Sequence, residues 1–144
     1  MQSVILANLI YVFHILVILF ILIVPFTNIV NLLVIHFVFS ICLLVHWGLN
    51  ENICALSVME SYLRGVERKS TFTHSFIAPI YDISDTEWGD LCTIVTIVLM
   101  FLSLYKIITS DRWTESMQLC KKVYNSESNY NIIEYLKCFI PLLK

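Results

Sequence analysis

Apolar residues along this chain gather into three long blocks with short polar stretches between them. The first runs from about Val4 to Val24 and is ended by Pro25; between Leu9 and Val24, 14 of 16 residues are Leu, Ile, Val or Phe. At roughly −0.3 to −0.6 kcal/mol each on the insertion scale, they favour the bilayer by about −4 to −8 kcal/mol, more than enough to carry His14. About 20 helical residues cross the ~30 Å hydrocarbon core, so this block predicts a span. The second block, Ile29 to Trp47, has 13 such residues in 19. The third, Leu91 to Ile108, follows Ser84-Asp85-Thr86-Glu87, a capping box whose carboxylates suit the positive end of a helix dipole. Trp88 marks its near interface, and Tyr105 and Lys106 anchor its far end. The fold class expected is all-α, with spans at residues 4–25, 29–48 and 87–108.

Pro25-Phe26-Thr27-Asn28 is too short a connection to part the first two spans, which predicts an antiparallel hairpin. Counting outward from that turn places His14 beside Ser40 and Ile41, and Asn8 beside His46 and Trp47. His36 and Ser40 are four apart and share a helix face. Cys92, Thr96 and Ser103 form a small polar stripe suited to close helix packing. Polar side chains within a membrane generally face the bundle interior, which is the expectation for His14 and His36.

Outside the spans the periodicity is amphipathic. Asn50 and Asn52 are placed to cap a short helix over Ile53–Leu63, with Gly65 in the C′ role. Ile53, Leu56, Met59 and Leu63 follow helical spacing, and Glu60 and Arg64 form an i,i+4 pair. Such a helix is expected to lie along the membrane surface, with Arg64, Arg68 and Lys69 at lipid headgroups and Phe72, Phe76, Ile77, Ile80 and Tyr81 dipping into the interface. Beyond the third span, Trp113, Met117, Cys120 and Tyr124 make an apolar stripe that needs a protein or lipid surface to cover it. Asn125-Ser126-Glu127-Ser128-Asn129 breaks that helix. A last one, about Asn131 to Phe139, presents Ile132, Leu136 and Phe139 ahead of Pro141. The chain thus divides into a hairpin (1–49), a surface helix and loop (50–84), a third span (85–108) and a water-accessible tail (109–144). The tail side carries six Lys/Arg and the other side three, so the positive-inside rule favours a cytoplasmic tail.

Composition agrees with this. The chain has 144 residues, 58% hydrophobic and 14% charged, where soluble domains hold about a quarter charged residues. A net charge of −2 argues against a nucleic-acid partner. Met1-Gln2-Ser3 lacks a basic n-region and no small-residue cleavage site follows, so the first block reads as a retained anchor. The five cysteines, Cys42, Cys54, Cys92, Cys120 and Cys138, form no C-x-x-C pair and suggest neither a disulfide framework nor a zinc site. A Cys54–Cys92 bridge between two membrane-edge segments stays open.

Four histidines invite a haem or metal reading. His14 and His36 lie about 13 and 8 residues from the hairpin turn, a depth mismatch of roughly 7 Å that argues for packing instead. No cofactor is expected. The densest local pattern is His46 and Trp47 followed by Asn50, Asn52, Cys54 and Glu60. A chemical reading makes Cys54 a nucleophile near a helix N-terminus, with Glu60 as base. The structural reading, which is preferred, has these residues end one helix and cap the next. Serine triads, P-loops, Gly-rich dinucleotide turns and H-E-x-x-H are absent, and the chain is not expected to be an enzyme.

At His46-Trp47-Gly48-Leu49-Asn50-Glu51-Asn52-Ile53-Cys54-Ala55-Leu56 and Glu60 the sequence resembles a small family of membrane proteins from large icosahedral double-stranded DNA viruses. These pair a hydrophobic hairpin with an H-W-x-x-N-x-x-x-C-A-L-like signature, and the likeness covers roughly residues 8–64. The C-x-L-x-x-x-E portion is more distantly similar to small bacterial membrane proteins. The viral resemblance implies a structural role: a minor capsid or membrane-anchored scaffold protein of a virion inner membrane, partnered by lipid and by other capsid or membrane proteins. The rival classes are a small membrane enzyme or redox protein and an accessory subunit of a transporter. The span interiors hold no Asp, Glu, Lys or Arg, which weakens the transporter reading.

Overall fold

A computed structural model describes residues 2–51, 53–66, 85–125 and 132–143. Every regular element among them is helical. In chain order they are α1 (Gln2–Ile23), a 3-10 turn (Val24–Phe26), α2 (Val30–Leu49), α3 (Ala55–Arg64), α4 (Asp85–Ile108), α5 (Asp111–Asn125), α6 (Ile132–Lys137) and α7 (Ile140–Leu143). Asn52, Arg68, Lys69, the aromatic and aliphatic run from Phe72 to Tyr81, Ser84 of the capping box and the break at 126–129 lie outside the described residues.

Three helices are long and apolar enough to cross a bilayer: Val4–Phe26, Val30–Leu49 and Glu87–Ile108. Only 28%, 17% and 22% of their most apolar windows are buried inside the protein, so the bulk of each surface needs a non-aqueous solvent. The expected and observed spans agree to within about two residues.

The first turn of the chain rests on a proline. Residue 25 has no N–H to return to the carbonyl of Ile21, four positions earlier, and an unmet carbonyl in hydrocarbon is costly. His36, fully buried in α2, supplies the missing donor, with its Nε2 3.2 Å from the Ile21 oxygen. A carbonyl can only accept, so Nε2 carries the proton and Nδ1 is left as acceptor. The hydroxyl of Ser103 in α4 then donates to Nδ1 at 2.9 Å. Phe20 packs against the same ring at 5.8 Å and meets Phe39 edge-on. One imidazole thereby joins all three spans.

Away from that junction the hairpin opens. α1 meets α2 mainly beside the turn, whereas α2 runs along α4, and α1 is instead accompanied by α3. The matched-depth expectation for the hairpin is therefore corrected: His14 faces Cys54, not Ser40, and Asn8 is held by Arg64, not placed against His46. Small residues explain the partition. α4 buries Thr96, Leu99, Ser103 and Ile107 at helical spacing, and α2 answers with Leu33, His36 and Ser40. On α1 the buried face is Ala7, Ile10, His14 and Ile21, and α3 turns Ser57, Glu60 and Ser61 toward it. Ala against Ser lets two helices approach closely.

The sequence places α3 along the membrane surface, and the structure packs one of its faces against α1. Its polar face is inside and Val58, Met59 and Tyr62 face outward, because the small polar side chains fit α1 and the large apolar ones do not. Its C-terminus is as expected. Gly65 adopts φ 65°, and the Gly65 and Val66 N–H groups return to the Tyr62 and Ser61 carbonyls in a Schellman arrangement. The N-terminal expectation is corrected. No side chain of the Cys54 N-cap bonds the helix, and Asn50 turns back to the His46 carbonyl at 2.8 Å, closing α2 instead of opening α3.

The tail is built onto the bundle. Lys106 Nζ donates to the Thr27 carbonyl at 3.0 Å and to Asn28 Oδ1 at 3.3 Å, so it binds the turn. Arg112 donates to Asn31 Oδ1 at 2.6 Å, and Ser110 caps α5 through the Trp113 N–H. Leu142 closes on Leu33 and Ile107, with Trp113, Val30, Val34 and Phe37 around them. Pro141 does not end the fold. It sits in the first turn of α7, where its missing N–H costs nothing. Leu142→Ala is expected to destabilise the docked tail by about 2–3 kcal/mol and to raise the rate of limited proteolysis within residues 109–144. An unchanged cleavage rate would show that this cluster does not hold the tail.

Candidate functional site

The end of the bundle away from the turn gathers most of the polar residues singled out in the sequence. Cys54 precedes the first turn of α3, and its Sγ lies 3.7 Å from Nε2 of His14 on α1. The backbone N–H groups of Leu56 and Ser57 lie beside the sulfur without closing a capping hydrogen bond. His46 reaches over from α2: its Nε2 lies 3.3 Å from the Ala55 N–H and its Nδ1 3.1 Å from Nδ2 of Asn50. A neutral imidazole has a single lone-pair nitrogen, so it accepts from one of these donors at a time. With the lone pair on Nε2, His46 accepts from the Ala55 N–H and supplies the cap for α3, while Asn50 Nδ2 donates to the His46 carbonyl.

One turn further along, Glu60 is almost fully buried, with Oε1 2.9 Å from Nε of Arg64. Arg64 in turn donates to Asn8 Oδ1 at 3.0 Å, tying α3 to α1. Glu60 Oε2 and Trp47 Nε1 are both buried and have no hydrogen-bond partner among the described residues. Removing Arg64, which is itself open to solvent, would leave the buried Glu60 carboxylate without its ion partner. Glu60 is thus engaged with Arg64, and the imidazole against Cys54 comes from His14, which sequence reasoning had assigned to packing. Distance along the chain concealed that contact, since 40 residues separate the two.

Cys92, on the facing stretch of α4, is close enough to interact electrostatically with Cys54, and both are free thiols. Among the described residues no group of three or more His, Cys, Asp or Glu side chains is placed to hold a metal. His14 and His36 are both buried toward the bundle, as expected. The tail residues divide: Trp113 and Cys120 are half-buried against the chain's own C-terminal segment, Met117 is partly exposed and Tyr124 is open. The Cys120 thiol is pushed up to about 11 by burial and by its hydrogen bond with Cys138.

Burial pushes the Cys54 thiol up, but the His14 hydrogen bond and charge, with the Ser57 and Leu56 N–H groups, outweigh it and leave its pKa below the ordinary 9.0. A lowered thiol pKa populates the thiolate at lower pH. Alkylation of Cys54 by a membrane-permeant maleimide should therefore reach half its plateau rate at a lower pH than free cysteine does. In His14→Phe, where burial acts without its main opponent, the midpoint should move upward past that of free cysteine. Coincident profiles for the two proteins would remove His14 from the account.

No protein-family model, curated protein or solved structure matches the chain, which leaves its own side chains as the guide to what the site does.

Proposed function

We propose that the chain is a structural membrane protein, a three-span anchor that holds a helical bracket against one face of the bilayer for other proteins to bind. The observation that carries this reading is the attachment of the tail. Lys106 on the turn, Arg112 on Asn31 and Leu142 against Leu33 and Ile107 make α5 and α7 a continuation of the bundle. A bracket fixed in this way can transmit position from bilayer to partner, which a loose tether cannot. Its outer surface still exposes Tyr124, Leu136, Phe139 and Ile140. The polar groups of the turn-side interior, His36 and Ser103, are spent on holding helices together. The resemblance around His46 to Glu60 extends the proposal to a virion inner membrane, with capsid or membrane proteins as the partners.

The test is photo-cross-linking in the native membrane or particle, with a photoreactive residue at Phe139 or Ile140, both exposed on the same surface. The expected result is a discrete protein adduct. Combining Tyr124→Asp with Leu136→Asp should leave insertion intact and lower adduct yield about tenfold or more, the effect of losing roughly 1.4 kcal/mol of contact. Labelling of lipid alone from both positions would contradict a partner-binding bracket.

A further inference from the structure

The Cys54–His14 pair does more than packing requires. Two segments converge on it: the start of α3, with the thiol and the Leu56 and Ser57 N–H groups beside it, and α1, which brings an imidazole nitrogen to 3.7 Å. Thiol, proton acceptor and anion-stabilising donors are the components of an activated nucleophile. The thiol is half-buried, so it remains open to a reagent.

Its position restricts what that reagent can be. His14 is 12 residues from Phe26 along α1, about 18 Å at 1.5 Å per residue, which lies within a ~30 Å hydrocarbon core. The neighbouring outward surface is Phe13, Val58 and Met59, all apolar and exposed to the surroundings. Electrophiles that reach this depth are those that dissolve in lipid.

We propose that Cys54 is an acyl-accepting nucleophile, with His14 as its base, for a long-chain acyl thioester dissolved in the bilayer. Nε2 of His14 takes the Sγ proton while the sulfur attacks the thioester carbonyl carbon. The new carbon–sulfur bond to Cys54 forms, the bond to the leaving thiol breaks, and that thiolate takes the proton back from Nε2. The products are a Cys54 thioester and a free thiol, with no net oxidation. The Leu56 and Ser57 N–H groups beside the sulfur favour the thiolate that attacks. This role goes beyond the bracket function and does not rest on it.

The test uses the full chain in phosphatidylcholine vesicles with palmitoyl-coenzyme A as probe, followed by intact mass and peptide mapping. The wild-type protein should gain one acyl group, mapped to Cys54 and released by neutral hydroxylamine. Cys54→Ser should gain none, and His14→Phe should acylate about 100-fold more slowly or worse, as loss of a general base predicts. Cys92→Ser should acylate normally, and acetyl-coenzyme A should label far less than the palmitoyl donor. Mapping in the wild type decides the matter even if a substituted chain folds poorly. Acylation at Cys42 or Cys120 in place of Cys54, no acylation at all, a Cys54–Cys92 disulfide as the sole product, or an unchanged rate in a folded His14→Phe protein would each overturn the proposal.

Discussion

A backbone carbonyl without its helical partner organises this molecule. Pro25 ends α1 because it cannot donate, and the Ile21 oxygen that loses its bond lies within an apolar span, where water cannot replace it. His36 answers from α2, and because its Nε2 is committed to the carbonyl, its Nδ1 must accept, which fixes Ser103 of α4 as donor. A single steric fact about one residue thus sets a tautomer, an orientation and a three-helix contact. The turn beneath is closed by Thr27 on the Val24 carbonyl and by Lys106 from the end of α4.

From this fixed point the helices separate into two pairs. Thr96, Ser103 and Ser40 allow α4 and α2 to pack closely, while Ala7, Ser57 and Ser61 do the same for α1 and α3. Hydrophobic burial does not drive helix pairing in lipid, so small residues and hydrogen bonds decide which helices meet. The divergence of α1 from α2 creates the place where Cys54, His14, His46 and Asn50 come together. The polar cluster at one end is in this sense a consequence of the closed junction at the other.

The spans were legible because each depends on a sum over about twenty residues, which no single contact can override. The Gly65 cap and the Glu60–Arg64 pair were legible because they are local. What escaped was pairing. The tight turn implied a closed hairpin, but a turn fixes only how two helices begin, and the small-residue faces of α4 and α3 drew α2 and α1 apart. The apolar pattern of α3 pointed to a membrane-surface helix, and nothing in that pattern marks the small polar face of Ser57, Glu60 and Ser61 that packs on α1. The α7 turn lies beyond the last helix the periodicity predicts, and Pro141 fits it because proline is tolerated in a first turn. At the site, His46 reaches the start of α3 beside Cys54, whereas Glu60 is engaged by Arg64 a turn away; His14 was missed because nothing in spacing links positions 40 apart.

His36 is required because Pro25 leaves the Ile21 carbonyl unmet. The direct measurement is a double-mutant cycle on unfolding free energy in bilayer mimetics, using Pro25→Ala, His36→Leu and both together. In the native background His36→Leu should cost about 1–3 kcal/mol, the penalty of a stranded buried acceptor; Ser103 can return its hydroxyl to its own helix. With Pro25→Ala, residue 25 regains an N–H and most of that cost should vanish, a coupling of about 1 kcal/mol or more. Additivity within roughly 0.5 kcal/mol would mean that His36 acts independently of the proline, and the account would fail at its base.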